Sequence, residues 1–233
     1  MTFYRVKDFI RHWRLLPSAW LLAVQLFILV MTFVPIQYRW YQVTVWCSGV
    51  LTLFLIARVI KETATTRFLG RFFIFGAILC LCLLMAGFQH LYIQITSHVF
   101  EIGAYGCAIY GLLRYMFADQ FLTKDELFAA GAVFTLLAWA FAYAYHICQL
   151  VAPNSFSNSL AENQIESWLN ILFYSFSLQS ATGLSHLLPM RPAVKVISIV
   201  QMFVSVMYIA IVVSRLFSLR EVKYVRKHKK RML

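Results

Sequence analysis

The sequence predicts an all-α membrane protein with six transmembrane helices and a re-entrant pore helix and filter loop between the fifth and the sixth. Three observations carry that prediction. Of 233 residues, 61% are apolar and only 13% charged, more hydrophobic surface than one water-soluble core hides. The Lys and Arg residues behind the net charge of +12 fall in short connectors and tails beside apolar runs, where they set orientation and touch anionic lipid rather than nucleic acid. Finally, Phe173 to Pro189, FYSFSLQSATGLSHLLP, lies between two long apolar segments and reads as a short helix, a turn of small residues and a proline exit.

Residues 1–17 carry Arg5, Lys7, Arg11 and Arg14, with Phe3, Val6, Ile10 and Trp13 able to share one helical face, the pattern of an interfacial helix. The apolar run that follows is as long as a span and has no small-residue cleavage site, so it is expected to be an uncleaved first helix, from Ser18 to about Ile36. A second span runs from about Tyr41 to Ile60, and KETATTRFLGR is a polar, basic connector. From Phe72 to Phe117 the chain is too long for one crossing, and QHLYIQITSH at 89–98 divides it into a third and a fourth span. Thr123 and Glu126 have capping-box spacing before a fifth span from Leu127 to about Leu150. The sixth extends from Ala193 to about Leu219, and a basic tail follows.

Six spans place both termini on one face together with the basic connectors, as the positive-inside rule requires of a cytoplasmic side. The expected organisation is a basic N-terminal segment (1–17), a four-helix domain (18–126), a pore-like domain (127–219) and a basic cytoplasmic tail (220–233). Trp13, Trp20, Tyr38, Trp40, Tyr41, Tyr92 and Trp168 cluster near expected span ends, where amphipathic rings settle at the headgroups.

Five cysteines without CxxC spacing argue against a disulfide framework or a zinc site, and neither cofactor nor metal is expected. No His/Asp/Glu constellation gathers at one membrane edge as a membrane enzyme would need. Glu101 lies in the fourth span, where His90 or His98 is a possible partner, and His146 reads as a packing histidine. That span holds Arg114 alone rather than arginine at every third position, so steep voltage dependence is not expected.

An ion crossing a bilayer exchanges its water for protein oxygens, which rings of backbone carbonyls supply. Residues 173–189 have the composition for such a ring. Their small residues let backbones meet at an axis, and a helix from about Glu166 to Ala181 would turn its negative end toward the membrane centre. Set without gaps on the pattern FSFxTxTTVGYGDxxP, Ser175 and Phe176 fall on SF, Ser180 on the first threonine, Gly183 on the first filter glycine and Pro189 on the closing proline. The stretch resembles the pore-loop, potassium-channel-like superfamily of tetrameric cation channels, in particular small bacterial pore-domain proteins.

The resemblance implies a homotetramer passively conducting monovalent cations, in a cell inner (plasma) membrane. Its filter would be Ser180, Ala181, Thr182, Gly183, Leu184 and Ser185. His186, Glu162 and Glu166 would stand at the outer mouth. The filter departs from TVGYGD. Ala181 removes the innermost hydroxyl, Leu184 cannot form the hydrogen-bonded cuff of tyrosine, and Ser185 replaces a glycine, where positive φ would be strained. His186 would form a titratable ring. The sixth span, VKVISIVQMFVSVMYIAIVVSRL, resembles the relatives' inner helix at Tyr208, Ala210 and Arg215-Leu216. There Gln201 replaces a glutamate and Ser205 a hinge glycine, so these two are candidates for the cavity or the hinge. The alternative is a non-conducting scaffold or regulatory subunit that retains the fold.

Overall fold

A computed structural model of the chain describes residues 17–31, 66–88, 90–118, 124–157 and 167–229, with the backbone alone for Pro17, Thr66, Arg67, Lys124 and residues 216–229. The expected second span and the N-terminal basic segment up to residue 16 lie outside them, as do Thr123, Glu162 and Glu166.

The described chain is mostly helical, because a helix satisfies every interior backbone group within one segment while its side chains stay apolar. In order come α1 (Pro17–Met31), α2 (Thr66–Met85), α3 (Leu91–Ala118), α4 (Lys124–Val151), α5 (Trp168–Gln179) and α6 (Pro192–Lys229). Among the described residues three helices are long and apolar enough to cross a membrane, over Phe68–Met85, Asp125–Val151 and Pro192–Arg215; Ser18–Met31 is apolar but shorter.

Several boundaries differ from the sequence expectation. Helix α2 begins at Thr66, so the polar connector is helical from there on. The break between α2 and α3 is confined to residues 86–90, and QHLYIQITSH is helical from Leu91. A single glycine accounts for the break. Gly87 has φ 96°, and Gly87 N–H bonds Leu84 O at 3.1 Å while Phe88 N–H bonds Leu83 O at 3.2 Å, the left-handed helix ending in which glycine avoids a Cβ clash. The last helix does not stop near Leu219 but continues to Lys229.

Helix α4 is the hub. Its Ala129, Ala132, Ala138 and Ala142 are fully buried, small enough for neighbouring backbones to come close. Polar bonds fix α1 beside it: Ser18 Oγ donates to Asp125 Oδ2 at 3.1 Å and Thr135 Oγ1 to Gln25 Oε1 at 2.5 Å. At the start of α4, Glu126 pairs with Arg215 of α6 at 3.5 Å, and the Arg215 guanidinium lies 5.0 Å from the Phe117 ring centroid. Tyr208 of α6 donates to Ala130 O.

Helices α2 and α3 interlock by exchanged knobs. Phe100 sits over Gly76 and Phe73 over Gly103, so that a Cβ at either glycine would clash with ring carbons less than 3.0 Å away. Overpacking of that kind costs about 1 to 3 kcal/mol. Gly103→Val is therefore expected to lower the melting temperature of the full chain in detergent, whereas Gly106→Ala, which meets nothing within 4 Å and favours the helix, should hold or raise it.

Candidate functional site

Helix α5 starts at Trp168, two residues later than expected, where the Ser167 hydroxyl accepts from Asn170 N–H at 3.3 Å and caps the first turn. Its depth follows from its partners. Trp168 packs against Trp139, Tyr143 and His146 in the C-terminal half of α4. Further along, Ser175 Oγ donates to Ala138 O at 2.7 Å and Phe176 meets Phe134. The last residue, Gln179, lies against Gln201 and Ser205. Helix α5 thus ends level with the middle of α4 and the middle of the apolar part of α6.

A dry polar seam joins α5 to α6. Gln201 Nε2 lies 3.0 Å from Ser175 O, 2.9 Å from Ser175 Oγ and 3.3 Å from Gln179 Oε1. Tyr145 of α4 donates to Gln201 Oε1 at 2.7 Å. The Ser205 hydroxyl is shared between Gln179 Oε1 at 2.8 Å and Gln201 O at 2.6 Å. Ser175, Gln179, Gln201, Ser205 and Tyr145 are all fully buried. Nearer the N-terminal end of α6, Tyr174 and Ser198 share a hydrogen bond of 2.7 Å. Within one chain, then, Gln201 and Ser205 are engaged with the short helix. Gln179 Nε2 has no acceptor among the described residues.

The loop after α5 is shaped by how that helix stops. Ala181 N–H bonds Leu178 O at 3.1 Å and Thr182 N–H bonds Ser177 O at 3.0 Å, the paired bonds of a left-handed helix ending. Ala181 takes the position that glycine usually fills, with φ 56°, and Gly183 follows at φ 63°. The expected strain at Ser185 is absent: its φ is not positive, and its hydroxyl accepts from Leu187 N–H at 3.2 Å. Strain sits instead at Ala181, four residues earlier. Amides of the loop's inner half are spent on α5, and among the described residues no donor meets a carbonyl of residues 180–186. Ser180, Ala181, Thr182, Gly183, Leu184 and His186 are exposed in the single chain, while Leu187 is buried and anchors the return.

The return is stapled beside the end of α4. Strand β1 (Phe156–Ser157) pairs antiparallel with β2 (Leu188–Pro189). Ser155 O accepts from Met190 N–H and Arg191 N–H, while its hydroxyl bonds Cys148 O and Ala152 O. Entry and exit of the hairpin are thereby held at one level.

Comparison with known families is consistent with this arrangement. A family model described as an ion channel matches residues 131–221, which contain most of α4, all of α5, the loop and the apolar part of α6. No curated protein matches the chain, and no solved structure does. The similarity to an ion channel is confined to this segment, which holds most of two of the three described helices long and apolar enough to cross a membrane.

Sequence reasoning did not single out Gln179 or Tyr145. A signal existed: Ser175 with Gln179, and Gln201 with Ser205, are two polar pairs at i,i+4 on otherwise apolar helices, hence two stripes able to meet. Gln201→Leu would take from Tyr145 Oη its Gln201 acceptor and from Ser175 and Gln179 a shared donor in a dry site, at about 2 kcal/mol or more. Tyr145→Phe removes one bond, at about 1 kcal/mol. Thermal unfolding of the full chain in detergent should rank them in that order. Ala181→Gly should raise stability by about 1 kcal/mol by removing the left-handed penalty.

Proposed function

We propose that the chain is a passive channel for monovalent cations in a cell inner (plasma) membrane, with four copies placing residues 180–185 around one axis. Six spans per copy would leave both termini cytoplasmic. The observation that carries this reading is the depth at which α5 ends. The carbonyls of Gln179 and of the loop's inner end, which no donor meets among the described residues, lie level with the middle of the apolar helices, where backbone acceptors cannot face lipid and must meet water, ions or protein. The negative end of the α5 dipole points to the same level and favours a cation.

The outer surface of α6 agrees with assembly. Ile199 and Phe203 are 65% and 67% exposed, and only 22% of the Pro192–Arg215 window is buried in one chain, leaving faces for both lipid and neighbouring copies. Anionic lipid would meet the basic tails. Strict potassium selectivity is not expected, because Leu184 is exposed and holds no cuff around the loop.

Purified full-length protein in liposomes should pass potassium or sodium above the protein-free rate, and Gly183→Val, placed where φ is 63°, should abolish the flux while leaving a four-copy crosslinking ladder intact. A ladder of four with no flux in the wild type would instead establish the non-conducting subunit. His186 at the exposed mouth gives a second test: acidifying the outer solution should reduce flux in the wild type but less in His186→Asn.

A further inference from the structure

Away from the loop, three ionisable side chains form a continuous hydrogen-bonded chain between α3 and α4. His98 Nδ1 lies 2.9 Å from Glu101 Oε2, one turn along α3. On its other side, His98 Nε2 lies 3.0 Å from His146 Nδ1 of α4. The His98 ring stacks on Tyr143 at 5.0 Å, and the His146 ring meets the edge of Trp168, first residue of α5, at 5.8 Å. The His98 and Glu101 side chains keep 17% and 11% of their surface exposed, and His146, Tyr143 and Trp168 are only partly buried, so protons have access to the cluster.

We propose that His98, Glu101 and His146 form a proton-binding site abutting the start of α5. The geometry permits two proton arrangements on the same heavy atoms. With Glu101 as carboxylate, His98 Nδ1–H donates to it; if His98 is neutral, its Nε2 accepts, so His146 must be the Nδ1–H tautomer with a bare Nε2. Adding one proton reverses the second bond. The proton arrives on His146 Nε2, the proton on His146 Nδ1 passes to His98 Nε2, and His98 becomes an imidazolium held by Glu101. One proton is gained, no other bond changes, and His146 ends as the Nε2–H tautomer. A lone buried histidine would instead become charged itself.

The groups facing the cluster are consistent with one exchangeable proton. Tyr105 on α3, Tyr143 on α4 and Cys80 on α2 lie close enough to feel the charge of Glu101, and ordinary tyrosine and cysteine titrate above the histidine range. From α5 the neighbour is Trp168, which does not titrate. Because Trp168 also packs on Trp139 and Tyr143, a changed hydrogen pattern on His146 is delivered to the helix that positions the loop. The site does not depend on conduction; only an effect on flux rests on the channel reading.

The test uses full-length protein in lipid vesicles, labelled with ¹⁵N at histidine and tryptophan, observed by solid-state NMR between about pH 8 and about pH 5. Coupling between nitrogens across the His98–His146 bond identifies the pair. The expected result is a change of His146 from the Nδ1–H to the Nε2–H tautomer as His98 becomes doubly protonated. The Trp168 indole signal, assigned with Trp168→Phe, should move at the same midpoint. His98→Gln and Glu101→Gln should each remove the tautomer change over that range, and His186→Asn should keep it. A His146 tautomer that is the same at both ends of the titration overturns the proposal in the wild type alone, and so does a change that survives His98→Gln. A stationary Trp168 signal overturns the link to α5. Loss of flux without loss of the tautomer change would fault the channel reading and not this site.

Discussion

The uncharged seam around Gln201 is the constraint on which the rest of the site depends. In an apolar surrounding a polar side chain is tolerated only when its partners are in place, and the cost of losing one exceeds the gain from making it. Gln201 meets partners on α4 and α5 at once, through Tyr145 and through Ser175 and Gln179. That requirement admits one position of α5 along α6 and one rotation about its axis. A glutamate in the same place would bring a charge to be neutralised; the amide gives the same reach with both a donor and an acceptor.

Around that seam the architecture is a division of labour along α4. Its first turns receive the C-terminal end of the apolar part of α6 through Glu126 and Arg215, its middle receives α5 through Ala138 O, and its last turns receive the returning loop through Ser155 and the short β pair. The loop is therefore held at both ends by groups that belong to other elements, while among the described residues no donor meets the carbonyls of residues 180–186. The left-handed residues Ala181 and Gly183 follow from this: α5 has to stop abruptly and the chain has to reverse within a few residues.

Much of this was legible in the sequence. Apolar length and basic connectors locate α1, α2, α4 and α6, and the ungapped placement of Ser175, Gly183 and Pro189 locates the hairpin. What hydropathy does not encode is where a helix ends. Gly87 cuts the third expected span from the fourth more sharply than the polar run 89–98 suggested, because polar residues are acceptable on a helix that faces other helices. The basic tail reads as a separate segment by composition, yet Arg, Lys and Glu are good helix formers and α6 simply continues through it. In the site, a turn of small residues after a short helix followed from residue type, but the strain at Ala181 did not. It depends on which residue closes α5, a matter of registry by one or two positions that propensity does not fix. The cluster of His98, Glu101 and His146 was half visible: a spacing of three connects His98 with Glu101, whereas His146 enters only through antiparallel packing of α3 on α4.

The unbroken course of α6 has a mechanical consequence. At about 1.5 Å per residue, its 38 residues make a rod of about 57 Å, against a hydrocarbon thickness of about 30 Å. The part beyond the apolar window carries Arg220, Lys223, Arg226, Lys227 and Lys229. A bend or twist imposed on that charged extension meets no flexible joint; along a stiff lever it is taken up first where Arg215 and Tyr208 hold α6 to α4, and only beyond them at the side chains of 201 and 205.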